Sequence, residues 1–163
     1  MKKTLLTISL FAIVFTSCGQ NNCSIKRGYA FYTVSMPGMI MRDDNGNEVA
    51  PIPSVQRFIY IECSGTKMPV IETVLYDNIS LKTAITSAIG STVTVGKNFQ
   101  HGEDYKLTAA RGNQFWKIDL YPVDDKQLVK RQNNNIIIKS KEKSKLCKFY
   151  IYKETELMTL PRY

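Results

Sequence analysis

Histidine and tryptophan are nearly missing from this chain: 163 residues hold one of each, His101 and Trp116. A lone histidine excludes the paired-histidine zinc site of a metalloprotease. No Gly-x-Ser-x-Gly stretch marks a serine nucleophile. The glycines closest to a phosphate-cradling loop, Gly90 and Gly96, flank Thr92-Val93-Thr94-Val95 and lack the lysine-serine pair that completes a P-loop. Acidic residues are scarce, 14 against 22 basic, for a formal charge of +8. No apolar run reaches the roughly 20 residues that a helix needs to cross a bilayer. Repeats and low-complexity tracts are also lacking. A glycosidase pair of carboxylates assembles only in space and is nowhere marked. These absences argue against an enzyme.

What is present begins at the N-terminus. Lys2 and Lys3 precede an apolar run, Leu5 to Phe15, broken only by Thr7 and Ser9 and closed by Phe15-Thr16-Ser17-Cys18. Charge, short apolar run, small residues: that order is the plan of a secretory signal. Its end resembles the lipobox of bacterial lipoproteins, with Phe15 where leucine is commonest. The resemblance implies cleavage before Cys18, a diacylglycerol on its sulfur and an acyl chain on the new amine. Three acyl chains make a durable membrane anchor. Gly19, rather than Asp, after the cysteine implies the outer membrane, on its periplasmic side or at the cell surface. The expected divisions are a signal peptide over 1–17, a lipidated N-terminus and tether over 18–23, and one β-domain over 24–163.

Removing the leader leaves 146 residues, enough for one domain with a real core. Lys2 and Lys3 leave with it, so 20 basic residues face 14 acidic ones, a net +6. That charge permits contact with anionic lipid or lipopolysaccharide. A lysine-rich face on a soluble domain is the plainer reading, and nucleic acid is not expected for an exported protein. With Cys18 assigned to lipid, Cys23, Cys63 and Cys147 allow one pair and one spare thiol in an oxidising compartment. Cys63–Cys147 is the expected pair, since both lie in strand-like runs while Cys23 lies in the leader. Such a bridge contributes roughly 4–5 kcal/mol in the chain-entropy picture. Three reduced thiols are the alternative.

From Ser24 onward apolar residues alternate at period two, the pattern of strands. Gly28–Met36, Val55–Cys63, Pro69–Tyr76 and Ile79–Ile89 read as strands, the last with enough alanine to leave a short helix open. Thr92–Val95, Tyr105–Ala110, Gln114–Tyr121, Ile136–Lys141 and Leu146–Lys153 follow, with Leu157–Leu160 as a final strand. Ile59 and Ile61 share a face against Phe58 and Tyr60; Trp116, Ile118 and Leu120 share one against Phe115. Asn45-Gly46 is the pair that suits a type I′ hairpin. Pro122–Asn135 is a polar connection with room for one helical turn over Gln127–Arg131. About eight short strands with turn chemistry between them predict an all-β fold, a β-sandwich of immunoglobulin-like type. An open barrel is the second solution.

Four constellations invite a chemical reading. Met36, Met39 and Met41 bracket Pro37-Gly38; soft thioethers favour Cu(I), and the spacing is similar to methionine motifs of exported copper carriers. His101 is the one histidine that such a site can add. The plainer reading is that the methionines fill core gaps at a strand bend. Asp43, Asn45, Asn47 and Glu48 have the alternation of a calcium loop, but Gly46 is fourth where an EF-hand needs glycine sixth. His101 near Glu103 and Asp104 has the makings of a general acid/base, or of a surface histidine in a polar loop. Lys139, Lys141, Lys143, Lys145, Lys148 and Lys153 line the last hairpin, the first three on one face. They read as protection of a sheet edge, with docking to an anionic lipid or sugar as the alternative. The sequence thus predicts a non-enzymatic, cofactor-free, lipid-anchored envelope protein presenting a surface to an envelope protein or polysaccharide. A copper-binding lipoprotein is the alternative.

Overall fold

The alternating segments fold as strands, and no helix occurs among the described residues, 23–35, 41–49, 53–122 and 135–159 of this computed structural model. The leader, Cys18, Met36, Met39 and the turn expected over Gln127–Arg131 lie outside those residues. The strands are, in chain order, β1 (Ile25–Ser35), β2 (Met41–Arg42), β3 (Glu48–Val49), β4 (Ser54–Ser64), β5 (Val70–Tyr76) and β6 (Ile79–Gly90). They continue as β7 (Thr92–Lys97), β8 (Asp104–Thr108), β9 (Asn113–Tyr121), β10 (Ile136–Glu142), β11 (Lys145–Ile151) and β12 (Glu154–Leu157). Eight form one sheet in the order β11-β10-β5-β6-β9-β4-β1-β12. Among the described residues only β1 with β12 pairs in parallel. The all-β expectation is met, and the arrangement is compatible with a β-sandwich whose layers come from one curled sheet and the β7–β8 ribbon.

Period-two alternation assigns each strand two faces. The inner face buries Ile59, Ile61, Trp116, Ile118, Val74, Tyr76, Ile136 and Ile138. The outer face buries Phe31, Phe58, Tyr60 and Phe115 beneath Val93 and Leu107 of the ribbon. Both predicted segregations, in β4 and in β9, are therefore realised. The helix left open over Ile79–Ile89 does not form: Lys82 to Thr86 pair residue for residue with Tyr121 to Lys117 of β9.

Curling brings the first and last parts of the sheet together. β1 and β11 run in the same direction and face each other across a seam where, among the described residues, no ladder joins them. Side chains close it instead. Gly28 provides the room, since a Cβ there would lie 2.7 Å from both Ile151 Cδ1 and Phe149 Cε1. At one end of the seam Cys23 is disulfide-bonded to Cys147 of β11, Cα to Cα 6.1 Å. Beside that bond Glu142 accepts hydrogen bonds from Ser24 N, at 2.6 Å, and from Ser24 Oγ. At the other end the chain itself crosses, leaving β11 at Ile151 and joining β1 as β12 from Glu154.

The expected Cys63–Cys147 pair is therefore corrected. Cys63 points inward from β4, fully buried, beside Ile25 and Gln114 in the ladders, and its thiol is free. It is Cys23 that the curl carries to β11, so this residue belongs to the folded body, outside the role expected for it in a tether over 18–23. One turn also differs from expectation. Asn45-Gly46 does close a hairpin, but only Gly46 has positive φ, and Gly46 N donates to Asp43 O at 2.9 Å. That is the three-residue loop with a glycine bulge. The positive-φ pairs are Asp77-Asn78 and Lys143-Ser144, each joining two strands directly.

A buried polar group spans the interior. Arg57 Nε lies 3.3 Å from Glu154 Oε1, Tyr76 Oη donates to Glu154 Oε2 at 3.0 Å, and the Arg57 guanidinium sits 5.0 Å over the Tyr76 ring. These residues come from β4, β12 and β5, so the group ties the crossing strand to the opposite wall. Breaking a buried pair leaves the surviving charge without compensation. Glu154→Ala should therefore destabilise the fold by about 3–5 kcal/mol, measured by chemical denaturation. The double change Arg57→Met, Glu154→Leu should recover most of that loss.

Candidate binding groove at the sheet seam

Where β11 turns toward β12, the outer face of the seam opens into a groove of about 290 Å³. β1 contributes Tyr29 and Phe31, the ribbon contributes Tyr105, the end of β11 contributes Tyr150, and Tyr152 and Lys153 come from the crossing segment. The alternation that sends Ile151 inward sends Tyr150 and Tyr152 outward. Their rings stack in parallel, centroids 6.1 Å apart with planes at 6°. Tyr105 meets Phe31 edge to face at 5.2 Å, and Tyr29 meets Phe115 likewise at 6.1 Å. The floor is thus fixed by aromatic packing. The rim is open to solvent, Tyr150 at 44% and Tyr152 at 73% exposure.

An exposed tyrosine pair is unusual, because large aromatic rings dominate buried cores and interfaces. Ring faces with hydroxyl tips suit a partner that has both flat apolar surface and polar edges. The described lining residues include no carboxylate, imidazole or thiol; the polar groups there are the tyrosine hydroxyls, the Thr155 hydroxyl and the Lys153 ammonium.

The residues singled out from sequence fall elsewhere. Asp43 accepts from Asn45 N at 3.0 Å, Asn47 N at 2.8 Å and Asn47 Nδ2 at 3.2 Å. Those Asn47 and Asn45 bonds hold its carboxyl below the usual range, so this group organises its own hairpin. His101 stands exposed in the loop between β7 and β8, at a shallow cleft with Asn98, Glu103 and Asp104. Among the described residues no hydrogen bond joins it to either carboxylate. Met41 belongs to β2, while Met36 and Met39 lie outside the described residues. No three His, Cys, Asp or Glu side chains among the described residues gather to hold a metal ion.

Lys139 and Lys141 do share the outer face of β10, but Lys143 leaves it as the first residue of the turn. The tyrosine groove was not foreseen. Its one sequence trace is Tyr150-Ile151-Tyr152, two rings on the same face of the last long strand. No family profile, curated protein or solved structure matches this chain.

Cys63 is chemically quiet. Burial, with Glu142 and then Glu62 adding to it, pushes its thiol up to about 12. Burial next to Glu154 likewise pushes the Tyr76 hydroxyl up to about 12. Both groups keep their protons in the folded state at a pH where the unfolded chain has lost them. Their contribution to stability is complete below about pH 9 and disappears as pH rises toward 12. Urea midpoints should fall over that window, and Cys63→Ala should flatten the fall.

Proposed function

We propose that this protein is a non-enzymatic, lipid-anchored component of a bacterial envelope that presents the tyrosine groove to another envelope component. The observation that carries the reading is the Cys23–Cys147 disulfide, five residues beyond the lipobox cysteine. Structural disulfides persist in oxidising compartments, which agrees with export. The leader supplies the address and the acyl chains, and the outer membrane is the proposed destination.

The division of labour follows from the chain. Gly19 to Asn22 connect the acylated Cys18 to a cysteine held on the folded body, so the anchor joins the body at the disulfide end of the seam. The groove lies at the opposite end of β11, where Tyr150 and Tyr152 project. A ligand site held away from the anchor is free to engage a partner. Neither a metal nor a cofactor is needed for this role.

The Cys18→Ser variant should move from the membrane to the soluble fraction on cell fractionation. Tyr150→Ala with Tyr152→Ala should abolish crosslinking through the groove while changing unfolding free energy by no more than about 1 kcal/mol, as for exposed positions. Membrane retention of the first variant contradicts the anchor, and unchanged crosslinking by the second contradicts the groove.

A further inference from the structure

The turn end of the β10–β11 hairpin combines three features. First, lysines crowd it: Lys141, Lys143, Lys145 and Lys148 are all exposed, and none forms an ion pair among the described residues. Second, it carries apolar side chains that the fold leaves in water. Val70, Lys141 and Leu146 lie side by side across β5, β10 and β11, with Val70 61% and Leu146 54% exposed. Third, the chain enters here, since Cys23 is bonded to Cys147, the neighbour of Leu146. Of the nearby carboxylates, Glu142 is bound to Ser24, and Glu72 is exposed on β5.

The length of chain before Cys23 limits where this end can go. Five residue steps separate Cys18 from Cys23, a reach of at most about 18 Å when fully extended. A body held that close to the lipid must present one surface to it, and the surface nearest the attachment is the lysine and leucine cluster. Lysines near anionic headgroups attract them at short range, and exposed apolar side chains among basic ones are the composition of interfacial contacts.

We infer that the turn end of this hairpin docks on the anionic phospholipid surface of the membrane that holds the acyl chains. The lysines meet headgroup phosphates, and Val70 and Leu146 enter the interface. Docking fixes the pose of the body and holds the groove at the far end of β11, facing away from the bilayer. The inference rests on the anchored reading above, and the following experiment separates the two.

The purified lipidated protein is reconstituted in vesicles of phosphatidylcholine alone or with about one-third phosphatidylglycerol. Amide hydrogen exchange is then read over residues 141–148 and over 150–153. Docking predicts that exchange at 141–148 slows about fivefold or more only in the anionic vesicles, while 150–153 is unchanged. Lys141→Glu with Lys145→Glu should remove the protection while leaving the thermal midpoint in place. Equal exchange at 141–148 in both vesicles overturns the docking. Protection there that survives the double reversal overturns it too. Intact mass reports separately on the anchor. If the acyl chains are missing, the anchored reading fails, and docking is judged by sedimentation of that unlipidated protein with the same anionic vesicles. Binding that is lost at about 0.5 M salt, where screening extends only a few ångströms, supports docking. No sedimentation overturns it.

Discussion

The fold depends on closure of a curled sheet in which β11 meets β1 with, among the described residues, no ladder between them. A curled sheet buries its inner face only while β11 stays against β1, and among the described residues backbone hydrogen bonds do not hold it there. Three devices substitute for them. The Cys23–Cys147 bond fixes one end, the β11-to-β12 crossing fixes the other, and Ile151 and Phe149 pack over Gly28 between them. The covalent bond closes a loop of 124 residues in sequence separation, so in the chain-entropy picture it contributes about 5 kcal/mol. That is comparable with the whole net stability of a small domain.

Closure also accounts for the polar groups that the interior contains. Glu154 follows the crossing directly, and its contacts with Arg57 and Tyr76 bind the new strand to walls made of β4 and β5. On the outer face, the fully buried Glu62 accepts from Ala110 N at 2.9 Å and Asn113 Nδ2 at 2.6 Å, pinning the segment between β8 and β9. Each buried carboxylate thus joins segments that are distant in sequence. The groove lies at the same place, where the chain leaves β11 for β12 and Tyr150 and Tyr152 stand exposed on the outer face.

Local signals in the sequence determined much of this architecture. Alternation in Val55–Cys63 and Gln114–Tyr121 identified both strands and the face of each apolar residue. Turn residues located the hairpins, although Asn45-Gly46 takes a bulged loop and Lys143-Ser144 takes the left-handed pair that a lysine rarely adopts. What could not be read is the curl. Strand periodicity says which side chains share a face, and it is silent on whether two sheet ends approach each other. The cysteine pairing is illegible for that reason: Cys23 lies far from Cys147 along the chain, and only curvature makes them neighbours. The groove was hidden likewise, since Tyr29, Tyr105 and Tyr150 come from three separate strands.

A non-reducing peptide map of the native protein, alkylated before digestion and analysed by mass spectrometry, tests the closure most directly. The account predicts one linked pair of peptides containing Cys23 and Cys147, with Cys63 recovered as an unmodified thiol that alkylates only after unfolding. Recovery of a Cys63–Cys147 peptide, or of Cys23 alkylated in the folded protein, would contradict it.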